Sequence, residues 1–138
     1  MKKLSFSIID IVFLLLSLML CVGTAFVFHA CGPKPDGSWM NCHWAEHVVI
    51  ALGAVFVVLS VARICMRSTT LKAGCTLAFV PLAVVTALVP KVLVPLCMMK
   101  DMRCHTVMRP AVFVLSVLLA LLSLATVIVE LKKGASKR

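Results

Sequence analysis

Apolar residues run along this chain in four long blocks separated by short polar stretches. The blocks lie at about 5–28, 46–64, 73–96 and 110–131. Each reaches the roughly 20 residues that a helix needs to cross the hydrocarbon core of a bilayer. Together with their connections they account for nearly the whole length, so the pattern predicts a single domain over 1–138. That domain is an all-α integral membrane bundle of four transmembrane helices with very short loops. Within the blocks the polar interruptions are few. Asp10 lies in the inner third of the first, and a carboxylate at that depth needs a partner. Arg63, at the inner end of the second, matches it in depth and is the expected ion-pair partner. Glu130 sits close to Lys132 and Lys133 and is expected to be solvated at the interface. The third block carries Pro81, Pro90 and Pro95, which remove backbone donors, so its outer half should be bent or broken. Lys91 in that stretch is expected to reach outward to the headgroups.

Composition agrees with a membrane chain. Hydrophobic residues make up 62% of 138, the mean hydropathy is +1.12, and a chain this short could not cover so much apolar surface in water. The net charge of +9 does not indicate nucleic acid, because the charges flank apolar spans and form no single face. Basic residues in that position set orientation and attract anionic lipid. Of the 14 lysines and arginines, nine (Lys2, Lys3, Arg63, Arg67, Lys72, Lys132, Lys133, Lys137, Arg138) fall on one side and five (Lys34, Lys91, Lys100, Arg103, Arg109) on the other. The first side should be cytoplasmic, with both termini, as in a multi-pass protein of the bacterial cytoplasmic membrane. Lys2 and Lys3 before an apolar run resemble the start of a signal peptide, but the run is too long and ends in no small-x-small site, so an uncleaved first helix is expected. Trp39 and Trp44 fit an outer aromatic belt. Helices in lipid associate through small residues, and Gly23, Ala25, Ala51, Gly53, Ala54 and Ala62 are the candidates. No polar stripe crosses the membrane as a transporter or channel would require.

Candidate chemistry collects on the other side. Of seven cysteines, Cys21, Cys65 and Cys75 lie in or near the spans and read as small packing residues. Cys31, Cys42, Cys97 and Cys104 lie outside, where disulfides persist. One bridge per loop, Cys31 with Cys42 and Cys97 with Cys104, is the simplest pairing, and a cross pairing between the loops is the alternative. The same four could exchange disulfides with a quinone, although no Cys-x-x-Cys is present to activate a thiol. All four histidines, His29, His43, His47 and His105, also lie outside, with Met40, Met98, Met99, Met102 and Met108 among them. Thioether, imidazole and thiolate suit copper or haem iron, so the histidines are candidate ligands for copper, zinc or haem. The bland reading has methionines filling gaps, histidines lining the headgroups and no cofactor at all. His43-Trp44-Ala45-Glu46-His47 matches the H-x-x-E-H pattern of a zinc peptidase class, but such enzymes need a sizeable soluble domain. No catalytic constellation is expected.

The two halves each hold a span, a loop with two cysteines and a second span, with a Cys-His pair before each even-numbered helix, which suggests a 2+2 repeat. The arrangement of Cys31, Cys42-His43-Trp44, Cys97-Met98 and Cys104-His105 resembles the bacterial four-span membrane proteins of domain of unknown function 4418. The resemblance covers nearly the whole chain. It implies company with ABC transporters of the macrolide-exporter permease type, and hence a non-enzymatic accessory subunit with a membrane-protein partner. The second-loop motif of that family commonly has a plain cysteine, and Cys104-His105 here leaves a ligand role for His105 open.

Overall fold

A computed structural model describes residues 7–29, 31–90, 92–96 and 98–138. Lys91 and Cys97 lie outside them, and with them the expectation that Lys91 snorkels. Helix α1 spans Ile8–Val22 and continues as a π-helical turn over Gly23–Val27. Helix α2 spans Asn41–Cys65, α3 spans Thr69–Leu88, and α4 spans Arg109–Ser136 after a π-helical turn at Cys104–Met108. All four are long and apolar enough to cross a membrane. The loops between α1 and α2 and between α3 and α4 therefore meet at one end, the cysteine-bearing end, and the start of α1 and the end of α4 lie at the other.

Four span boundaries differ from expectation by four residues or more. Helix α3 starts early, at Thr69 and not 73, and α4 runs on to Ser136 and not 131. The start of α2 and the end of α3 each have a local reason. Helix α2 starts at Asn41, five residues before 46, so Cys42, His43 and Trp44 are helical. Their polarity marks the water interface and not the helix end. Helix α3 stops at Leu88 and not near Leu96. The Val89 N–H still donates to Val85 O at 3.0 Å, but Pro90 has no N–H to continue the ladder and its ring crowds the preceding turn. The chain then turns sharply, with the Val92 and Leu93 amides both donating to Leu88 O at 3.2 Å. Pro81 is accommodated inside α3.

The buried side chains of each helix recur at spacings of three and four. They are Asp10, Phe13, Ser17 and Leu20 on α1, and Cys42, Ala45, Val49, Gly53, Phe56, Ser60 and Arg63 on α2. Helices α3 and α4 repeat the pattern at Thr76, Phe79, Ala83 and Thr86 and at Val112, Leu115, Leu119, Ser123 and Thr126. Such a seam is the narrow stripe of coiled-coil packing. It buries only 28–33% of each spanning window, which leaves the rest of the apolar surface for lipid. The helices pair as two hairpins, α1 with α2 and α3 with α4. The first is close-packed at Gly53, where an added Cβ would lie 2.9 Å from Cys21 Cα. Of the other small residues expected at interfaces, Gly23 is buried, whereas Ala51 and Ala54 are exposed. Phe79 joins the hairpins by packing on Phe13 and Phe56, with ring centroids 4.8 and 5.4 Å apart. Hydroxyls fill the remaining seam positions, and most donate to the carbonyl four residues earlier, as Ser17 does to Phe13 O at 2.6 Å and Ser123 to Leu119 O at 2.6 Å. That local bond satisfies the hydroxyl inside an apolar bundle.

Candidate metal centre at the cysteine-bearing end

Three cysteines far apart in sequence meet at one end of the bundle. Cys31 lies in the loop after the π-helical turn of α1, Cys42 is the second residue of α2, and Cys104 opens the helical stretch that becomes α4. Their sulfurs all lie within 4.8 Å of one another. Cys42 and Cys104 are fully buried, and Cys31 is half-buried against them. Cys31 Sγ stands 3.9 Å from Cys104 Sγ, so this contact joins the two loops and closes neither. Cys97 falls outside the described residues.

The spacing has a chemical meaning. A disulfide holds its sulfurs about 2.05 Å apart. A tetrahedral metal with bonds of about 2.3 Å to sulfur holds them about 3.8 Å apart. At 3.9 Å the Cys31 and Cys104 sulfurs are in van der Waals contact and close enough for one ion to reach both. Two of the sulfurs also sit on the first turn of a helical stretch, where the positive end of the helix dipole favours anions. Among the described residues this is the one group of three potential ligands whose donor atoms converge.

The histidines take other positions. His43 and His47 share a face of α2, with ring centroids 4.3 Å apart. His43 stacks on Trp39 at 4.1 Å and meets the edge of Trp44 at 5.9 Å. The His47 Nδ1–H donates to His43 O at 2.9 Å, which leaves Nε2 as the lone-pair nitrogen of the neutral ring. His29 is exposed and His105 half-buried, and neither joins the convergent group. The H-x-x-E-H residues thus form an aromatic and imidazole surface on α2. The loop that carries Trp39 is folded by a turn at Lys34–Gly37. Gly37 N–H donates to Lys34 O at 2.9 Å, and Gly37 adopts φ +79°, a conformation natural to glycine.

A second polar cluster lies at the terminal end, inside the bundle. Arg63 Nε donates to Asp10 Oδ1 at 2.7 Å, and its Nη2 to Glu130 Oε1 at 2.6 Å. Its Nη1 meets Thr76 Oγ1, and Lys72 Nζ reaches Asp10 Oδ2 at 3.0 Å. The guanidinium also lies 5.0 Å from the centroid of the Phe13 ring. Every helix contributes: Asp10 from α1, Arg63 from α2, Lys72 and Thr76 from α3, Glu130 from α4. Two cations and two carboxylates cancel. Glu130 therefore corrects the expectation of an interfacial acid beside Lys132 and Lys133, because its side chain is 11% exposed and bonded to Arg63.

A family model described as domain of unknown function (DUF4418) matches residues 13–129. The chain belongs to the DUF4418 family. No curated protein and no solved structure matches it. The matched range contains Cys31, Cys42, Cys97, Cys104 and Arg63, and Asp10 and Glu130 flank it. The DUF4418 description names no activity, so any functional reading has to come from the geometry. In this DUF4418 chain the convergence of Cys31, Cys42 and Cys104 depends on how the two hairpins dock, and spacing along the sequence carries no signal of it. Lys72 and Thr76 left a fainter trace, being polar residues one turn apart at the start of the third apolar block.

Proposed function

We propose that this protein is a non-enzymatic membrane module that holds a soft metal ion on the thiolates of Cys31, Cys42 and Cys104 at its outward-facing end. The observation that carries the reading is the meeting of three sulfurs from both hairpins within 4.8 Å. Thiolate sulfur selects zinc, monovalent copper and iron–sulfur clusters over hard ions. The ligand set differs from the four histidines that the sequence offers as candidate ligands. A thiol–disulfide exchanger would need its attacking sulfur within reach of a partner protein or quinone, and two of these three sulfurs are fully buried.

The test is anaerobic purification of the full chain from its own membranes without chelator, followed by elemental analysis. The reading expects about one metal per chain and its loss in Cys42→Ser. Metal-free protein that takes up neither zinc nor monovalent copper overturns it. If the cysteines instead cycle between oxidised and reduced forms with a thiol carrier, the oxidoreductase reading replaces it.

One feature favours attachment of this module to a larger membrane assembly, the accessory-subunit reading with an ABC transporter permease as partner. Ser116 Oγ is buried without a hydrogen-bond partner among the described residues. It lines a cavity of about 130 Å³ with Ala83, Ala87 and Ala120, between α3 and α4. Small residues along this groove allow a neighbouring transmembrane helix to approach closely. Affinity purification in mild detergent tests this: a permease should accompany the wild type, and Ser116→Phe should release it. A protein that comes out alone removes the accessory reading.

A further inference from the structure

Beside the thiols, the cysteine-bearing end holds a cavity of about 340 Å³ whose wall includes Met40, Met98, Met99 and Met102, with Trp39 and Lys34. Half of the chain's eight methionines therefore line one hollow outside the spanning helices. Met98 is fully exposed and Met99 is 66% exposed, so neither side chain fills a gap in the core. The backbone turns that place the cysteines also place this wall. His43 N–H donates to Met40 O at 3.0 Å, and His105 N–H to Met102 O at 2.9 Å. Met40 and Met102 thus stand two residues before Cys42 and Cys104. Trp39 has one face covered by His43, and an indole beside the hollow adds a further attraction for a cation.

We propose that this methionine wall receives monovalent copper and passes it to Cys31, Cys42 and Cys104. The inference rests on the thiolate-centre reading and deepens it by naming the ion. Zinc is well served by thiolate and imidazole, whereas the neutral, polarisable thioether selects monovalent copper. Lys34 on the rim repels a divalent ion twice as strongly as a monovalent one. Transfer is ligand exchange. Bonds from copper to thioether sulfur break as bonds to thiolate sulfur form, the copper stays +1, and protons displaced from the thiols go to water. No electron moves.

The experiment uses the full chain in detergent under anaerobic conditions. Monovalent copper is presented as its bicinchoninate complex, zinc is presented separately, and the wild type is compared with the Met98→Leu/Met99→Leu/Met102→Leu variant. The wild type should withdraw copper from the chelator. The variant should do so about tenfold or more slowly or less tightly, with zinc binding unchanged. A variant that takes copper at the wild-type rate and affinity overturns the inference. So does a wild type that binds zinc through its cysteines but leaves copper on the chelator, and in that case the thiolate centre stands. A wild type that takes neither ion overturns both. Should the triple variant lose zinc as well, Met98→Leu/Met99→Leu, which alters only exposed side chains, gives the deciding comparison.

Discussion

Replacing Arg63 by methionine should be among the most damaging single changes to this protein. Arg63 is 2% exposed and holds Asp10, Thr76 and Glu130 together. Its removal leaves two carboxylates facing one cation, Lys72. Asp10 keeps that lysine at 3.0 Å, but among the described residues Glu130 keeps only the Thr76 hydroxyl at 3.4 Å. Breaking one partner of a buried ion pair destabilises by about 3–5 kcal/mol, and Arg63→Met should fall in that range. The charge balance then gives a prediction of opposite sign. Adding Glu130→Gln to Arg63→Met restores one cation facing one anion, so the double variant should be more stable than Arg63→Met alone by about 2 kcal/mol or more. In the wild type, Glu130→Gln should destabilise. The assay is unfolding in mixed micelles of rising denaturing-detergent fraction, followed by far-UV circular dichroism. Arg63→Met within about 0.5 kcal/mol of wild type, the range of ordinary surface changes, would refute the cluster's role. A double variant weaker than the single one would refute the charge argument.

Other expectations follow from individual contacts. Gly53→Val should destabilise by about 1–3 kcal/mol, since even a Cβ would lie 2.9 Å from Cys21 Cα; the same unfolding assay checks this. Ser116→Ala should leave the isolated protein equally stable or more stable by about 1 kcal/mol, because it removes a buried hydroxyl without a partner. Loading the thiolate centre to about 1,000 times its dissociation constant should stabilise the chain by about 4 kcal/mol, seen as a rise in thermal midpoint that a chelator reverses and that Cys42→Ser lacks.

How far the sequence reveals this molecule depends on the range of the interaction involved. Four spans are visible because each is a local run of apolar residues. Asp10 and Arg63 can be matched because depth in a membrane is a coordinate that sequence supplies. Glu130 is misread for the same reason. Lys132 and Lys133 place it near the interface, but the 3.6-residue turn brings it to the face of α4 that meets Arg63. The start of α2 is obscured because residues that suit the interface, such as His43 and Trp44, also suit a loop. The end of α3 is fixed by Pro90, although Pro81 in the same apolar block is tolerated, and only packing separates the two. The thiol group lies furthest from sequence. Residue type marks Cys31, Cys42 and Cys104 as candidates, but their meeting is a product of two hairpins docking through Phe13, Phe56 and Phe79.

X-ray absorption at the metal edge of the anaerobically purified full chain tests the thiolate centre most directly. A first shell of sulfur at about 2.3 Å, lost in Cys42→Ser, is the predicted result. A first shell of nitrogen and oxygen, or a protein whose outer cysteines are all held in disulfides and which carries no metal, would contradict it.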